Sequence, residues 1–280
     1  MKISKKLLTL GIMTALSVSV AATAFAAELT VKSKDFNNSQ VKVSTPVIKG
    51  SAGGAEMDAQ LTLMAAKNTL NEIYKYLPEG SKISTVAPEK FIEYCNENTK
   101  DPVGEGMAYI KGSSFLVSEG FKKDAAIQGA DMKYNLKVDY NVYTASDSLL
   151  SLRQDAYAFT GGAHGISTVQ TLTVNAKTGE VYKLSDLFVP GSDYKARLEQ
   201  LIAIQQVGGN RLAEKMGKAT YDYEKVTITG NEKFYVDSNP KTWGLHIIYD
   251  QGEVGPMAAG VQNYYIPVDT ISDIINWDVK

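Results

Sequence analysis

The sequence predicts an α+β fold: a mainly antiparallel sheet with packed helices, arranged as two intimately associated modules. Three observations carry this. Apolar residues recur at helical spacing early in the chain: Met57, Leu61, Met64 and Ala65, then Leu70, Ile73, Tyr74 and Leu77. From Met132 the period switches to two, as "MKYNLKVDYNVYT" sets Tyr134, Leu136, Val138, Tyr140 and Val142 on one face. Helices and strands are segregated rather than strictly alternating, which argues against a doubly wound parallel sheet.

The elements follow in order. Residues 28–48 read as an extended arm and a strand, with Pro46 suited to a sheet edge. "SAGGA" is a turn into the first helix, of about 22 residues, which "LPEGSK" ends with Pro and Gly. A shorter helix follows Pro88, then an irregular stretch through "DPVGEG". "LLSLRQDAYAFT" and "ISTVQTLTVNAKTGEVYKL" are further strands, the latter with a hairpin at Lys177-Thr178-Gly179. "LSDLF" is a short helix capped by Ser185. The next helix places Leu198, Leu201, Ile202 and Gln205 on one face and is expected to end at Gly208-Gly209. "KFYVDS", "TWGLHIIYD" and "NYYIPVD" close the chain as strands, with a final helix from Thr270.

At the start, Lys2, Lys5 and Lys6 precede an apolar run from Leu7 to Phe25, and Ala24-Phe25-Ala26 supplies the small-x-small cleavage pattern. This is the grammar of a secretory signal peptide over residues 1–26; an uncleaved anchor is the competing reading. The modules are then expected over 27–145 and 146–280, with no integral membrane span after cleavage. Removing the three lysines leaves 26 basic against 31 acidic residues, a net charge of −5. That argues against nucleic acid and an anionic membrane surface as partners and weakly favours a cationic one. One cysteine, Cys95, and two histidines, His164 and His246, leave no intrachain disulfide and make a structural zinc site improbable. No cofactor and no metal are expected. Cys95, in "FIEYCNEN", reads as a small buried hydrophobe.

Two stretches stand out as candidate binding segments. "FTGGAHG" offers Thr160, Gly161, Gly162 and His164 in a loop between antiparallel strands. Paired glycines allow a tight turn at positive φ. His164 has three readings: a structural hydrogen-bond donor, a ligand contact, or a general base. Ser167, Ser114 and Asp155 could complete a catalytic set, but no G-x-S-x-G, H-E-x-x-H or phosphate loop links them. No catalytic residue is therefore assigned. "YDQGEVGPMAAG" contributes Tyr249 and Glu253; Asp250 and Glu253 could form an acid pair, or the stretch could be a solvated crossover. His246 alternates within "GLHIIYD" as a strand residue. The sixteen tyrosines, with Tyr221, Tyr223, Tyr264 and Tyr265 in the second half, suit either a recognition surface or half-buried sheet positions.

These motifs carry a resemblance. The strand ending in "AFTGGAHG", the K-T-G hairpin and "LSDLF", with "FYVDS" and "YDQGEVGPMAAGVQNYYIP", resemble the extracytoplasmic domain of RsiV-type anti-sigma factors. The non-catalytic half of PdaC-type peptidoglycan deacetylases shares that domain. "VSTPVIKG" and the long helix resemble the companion module that precedes it. The resemblance implies the domain alone, because a signal peptide stands in place of a sigma-binding segment and membrane span, and no separate deacetylase domain is expected. In the RsiV type that domain binds lysozyme. The resulting expectation is a secreted or periplasmic cell-envelope binding protein, not an enzyme. Its partner would be an envelope protein, a lysozyme-like cationic enzyme among the candidates, or a peptidoglycan fragment. The alternative is an envelope glycan or ester hydrolase using His164.

Overall fold

The computed structural model describes residues 29–82, 85–128 and 133–276. The expected signal peptide, residues 1–26, lies outside the described residues. Strands β1 (Thr30–Asn37), β2 (Val41–Lys49), β3 (Asn135–Ala145), β4 (Leu149–Phe159) and β5 (Ile166–Asn175) form one sheet in that order. Only β2 and β3 are parallel. The helices α1 (Gly54–Tyr74), α2 (Glu79–Lys82), α3 (Phe91–Asn98) and α4 (Pro102–Gln128) fill the crossover between them. Strands β6 (Lys233–Asp237), β7 (Gly244–Tyr249) and β8 (Gln262–Pro267) form a second, antiparallel sheet, backed by α5 (Tyr194–Lys215). The α+β class with mainly antiparallel sheet and two modules is what the structure shows.

The first core buries Leu63, Leu70, Ile73, Phe91, Ile110, Val117, Leu136 and Val138 between the helices and the five-stranded sheet. Cys95 lies in it, fully buried, and burial pushes its thiol up to about 11. The second core packs Leu198 and Ile202 of α5 on Leu245, Ile247 and Ile266. Glu72 of α1 is also fully buried. Its carboxylate accepts hydrogen bonds from Thr168 and Gln170 of β5 and pairs with Lys75, the compensation a buried charge requires.

Several expectations are corrected. "DPVGEG" is not irregular: it opens α4. The Asp101 side chain accepts a hydrogen bond from Gly104 N–H at 2.9 Å, capping the helix, and Pro102 takes the first helical position. Its glycines suggested a loop, yet Gly106 serves packing: a Cβ there would meet Leu63 at 2.9 Å and Phe91 at 3.1 Å. Likewise α5 runs through Gly208-Gly209 to Lys215. "LSDLF" forms a 3-10 turn whose entry is closed by Asp186 accepting from Lys183 N–H, not by Ser185. After Pro267 the described chain makes one 3-10 turn, Val268–Thr270, rather than a final helix. Pro46 lies in an interior strand, but beyond the three β2 residues that pair with β3; the edge strand is β1. Apart from these corrections, positions 145 and 146 lie at the turn between β3 and β4 of one sheet.

The two sheets meet through side chains. The free edge of β6 lies across the face of β3–β5. Phe234 N–H donates to Thr171 Oγ1 at 3.2 Å and Val236 N–H to Ser151 Oγ at 2.9 Å, while Thr144 Oγ1 donates to Val236 O at 2.7 Å. Hydroxyls thus replace a missing strand and satisfy an edge that would otherwise carry unpaired groups. A β-bulge at Tyr143, between Val142 and Thr144, re-aims that ring onto Tyr235 of β6, stacked at 3.9 Å.

Candidate functional site

Gly161 and Gly162 adopt φ of +98° and +89°, and close the β4–β5 turn. The turn is held from below: a Cβ on Gly161 would stand 3.2 Å from the Tyr134 ring, and one on Gly165 would overlap Tyr157 at 2.4 Å. Thr160, Gly162 and His164 are exposed. The His164 Nδ1 lies 3.2 Å from Gly165 O. A carbonyl can only accept, so Nδ1 is the donor in this contact.

The β7–β8 connection reaches this turn. Gln251 Oε1 accepts from Ser167 N–H at 2.9 Å, and Asp250 Oδ1 accepts from Val169 N–H at 2.9 Å. Two side chains of this connection therefore occupy the outer edge of β5 immediately after "GGAHG". Asp250 also pairs with Lys233 at 2.5 Å, and Gln251 Nε2 donates to Met257 O at 2.8 Å. Glu253 is exposed, and its carboxylate accepts from Asp250 N–H at 2.7 Å. Asp250 and Glu253 thus shape the loop rather than form an acid pair. Exposed Tyr157, paired across the sheet with Ser167, and exposed Met257, whose carbonyl accepts from Gln251, lie beside this junction.

Tyr249 does not join the surface. It is buried in the α5-side core, edge-on to Tyr264, and burial first, then nearby Glu232 and Glu253, push its hydroxyl pKa up. Its position in β7 faces it inward. Of the six expected binding residues, Thr160, Gly161, Gly162, His164 and Glu253 lie along the turn and its partner loop, and Tyr249 lies beneath.

A second polar-aromatic cluster escaped the sequence. His246 stacks on Tyr235 at 4.4 Å and lies 5.0 Å from Tyr265. Its Nδ1 meets Asn263 Oδ1 at 3.0 Å, while Asn263 Nδ2 donates to Tyr235 Oη at 3.1 Å. That pairing puts the proton on Nδ1 and leaves Nε2 buried with no partner among the described residues. Desolvation holds the His246 pKa below its ordinary value, against the pull of Asn263 and Asp237; Arg153 adds to the lowering. The alternation of "GLHIIYD" fixed the face of His246, but nothing local named the rings that cover it. Among the described residues no group of three or more His, Cys, Asp or Glu side chains is placed to hold a metal.

Residues 32–167 match the family described as Deacetylase PdaC, and residues 185–269 match Protein of unknown function (DUF3298). The chain combines a PdaC-like domain with a DUF3298 domain. The PdaC-like match ends just after the β4–β5 turn, and the DUF3298 match contains the β7–β8 connection, so the hydrogen bond from Ser167 to Gln251 joins the two. A crystal structure of a DUF3298-family protein from Bacteroides fragilis NCTC 9343 is similar at TM-score 0.55 and 19% identity. The match covers 90% of this chain and 95% of that one. A DUF3298-family protein from Pseudomonas aeruginosa PAO1 matches at TM-score 0.45 and 13% identity, over 92% and 97%. A search of curated proteins finds no match. The pairing of PdaC-like and DUF3298 domains points to a protein associated with the cell envelope. Among the described residues no helix is long and apolar enough to cross a membrane.

Proposed function

We propose that this is an exported, non-catalytic binding protein of the cell envelope, and that its recognition face is the junction of the β4–β5 turn with the β7–β8 connection. One observation carries the reading: Gln251 and Asp250 of the β7–β8 connection clamp the start of β5 at Ser167 and Val169, beside exposed Tyr157 and Met257. Aromatic and methionine side chains on a rigid, preorganised surface are the composition of protein interfaces, and rigidity lowers the ordering cost of binding. The partner proposed is a basic envelope protein, a lysozyme-like enzyme being the leading case. The net charge of −5 after export and the resemblance to the RsiV-type domain support that choice. Peptidoglycan fragments are the second ligand to be tested.

The hydrolase reading gives His164 a general base's work. The support runs the other way, since its described hydrogen bond goes to a neighbouring carbonyl and not to an orienting carboxylate. The test is turnover of peptidoglycan, its N-acetyl groups and model esters by the wild type and by His164→Ala. No turnover by either is expected. Hydrolysis that disappears in a folded His164→Ala variant would overturn the binding reading, because general-base catalysis is typically worth about 10²–10⁴-fold.

A further inference from the structure

The last turns of α5 project from the body of the protein. From Val207 to Lys215 only Asn210 and Ala213 are even half-buried. Yet this end carries large apolar side chains in the open: Ile204 is 60% exposed, Val207 51%, Leu212 59% and Met216, just past the helix, 56%. Leu212 and Met216 continue the stripe that Leu198 and Ile202 bury against the second sheet. They lie beyond the point where that sheet can cover them. Clustered exposed apolar side chains of this kind mark an interaction surface.

The charges say what would cover it. Arg211, Lys215 and Lys218 lie among these residues, and none of the three makes an ion pair among the described residues. Between Tyr194 and Lys218 there are five basic residues and two acidic ones, Glu199 and Glu214, a local charge of +3 in a chain that is otherwise acidic. An open hollow of about 490 Å³ beside the helix has Arg211, Glu214 and Lys218 in its lining. Gly208 and Gly209 lie within the helix and weaken it by about 1 kcal/mol each relative to Ala. Apart from Asn210, which exchanges hydrogen bonds with the Tyr221 backbone, little in the protein holds these turns.

We propose that this end of α5 docks on an anionic lipid surface. Leu212 and Met216, at the exposed end of the helix, enter the interface, and Arg211, Lys215 and Lys218 around that end meet the headgroup phosphates. An anionic polymer would recruit the cations but not the apolar side chains, and a second copy would bring like charge against like. The proposal is independent of the recognition face described above.

The test uses residues 27–280, which contain every described element, mixed with vesicles of phosphatidylcholine alone or with added phosphatidylglycerol. The wild type is expected to sediment with the anionic vesicles only, less at high salt, with slower amide exchange over residues 207–215 when bound. Leu212→Ser/Met216→Ser is expected to lower the bound fraction about tenfold or more, and Arg211→Gln/Lys215→Gln to abolish the preference for phosphatidylglycerol. Both pairs change exposed positions, and thermal melts verify folding. Failure of the wild type to bind either vesicle overturns the proposal. So does binding that the serine pair leaves unchanged, or self-association that the serine pair abolishes.

Discussion

The Gln251 side chain, on the loop after β7, accepts a hydrogen bond from the backbone N–H of Ser167, 84 residues earlier, at 2.9 Å. This bond and its neighbour from Val169 to Asp250 make one surface from two separate segments. Gln251→Ala leaves the Ser167 amide without its partner. The expected result is faster amide exchange at Ser167 and Val169 and a stability loss of about 0.5–1.5 kcal/mol. Native-state exchange and thermal melts measure both.

The paired glycines of the turn are not equivalent. Both have positive φ, so a β-branched residue is strained at either, and Val at either is expected to cost more than about 1 kcal/mol. Gly161 has Tyr134 within 3.2 Å of a built Cβ, whereas Gly162 has nothing within 4 Å. Gly161→Val is therefore expected to lower the melting midpoint further than Gly162→Val. Equal midpoints for wild type and both variants would contradict the observed turn.

Much of this was legible in the sequence. The period-two run from Tyr134 identified β3, and "FTGGAHG" announced a tight turn with the correct strands on either side. What escaped has physical reasons. α4 was hidden because Gly104, Gly106 and Gly112 resemble loop residues, while Gly106 is small so that Leu63 and Phe91 can approach. α5 continues past Gly208-Gly209 because Asn210 ties its end to Tyr221. Tyr249 was expected at the surface but its strand position turns it into the core. Gln251 has no local signature, since its role exists only once β5 and β7 are brought together.

His246 gives the protein an acid sensitivity. Burial lowers its folded pKa below the value near 6.5 that the unfolded chain would show. The unfolded state then binds more protons, so stability rises with pH across that interval. The contribution is fully present above about 6.5 and is lost as pH falls through the folded pKa. Asp237 and Arg153 face the ring with opposite effects. Denaturant midpoints taken across this range should fall as pH is lowered in the wild type and fall less in His246→Phe, which keeps the stack on Tyr235. Parallel profiles would contradict the assignment.

The hydroxyl ladder between the sheets should be cooperative with folding of the whole. Ser151→Ala removes the acceptor for Val236 N–H, and leaving a buried donor unpaired costs about 1–3 kcal/mol. The expected outcome is a lower urea midpoint with a single transition. A separate early transition for residues 233–267, seen by amide exchange, would show instead that the second sheet folds alone.

The most direct test of the binding account is a calorimetric titration of lysozyme, and in parallel of soluble peptidoglycan fragments, into the wild type and into Tyr157→Ala/Met257→Ala. Both substitutions lie at exposed positions of the junction. The account predicts saturable binding of one of these ligands, weakened by salt for a basic protein partner. It predicts affinity at least about tenfold lower in the folded double variant, as expected for removal of interface anchors. Equal affinity in wild type and variant, or no binding of either ligand by the wild type, would contradict it.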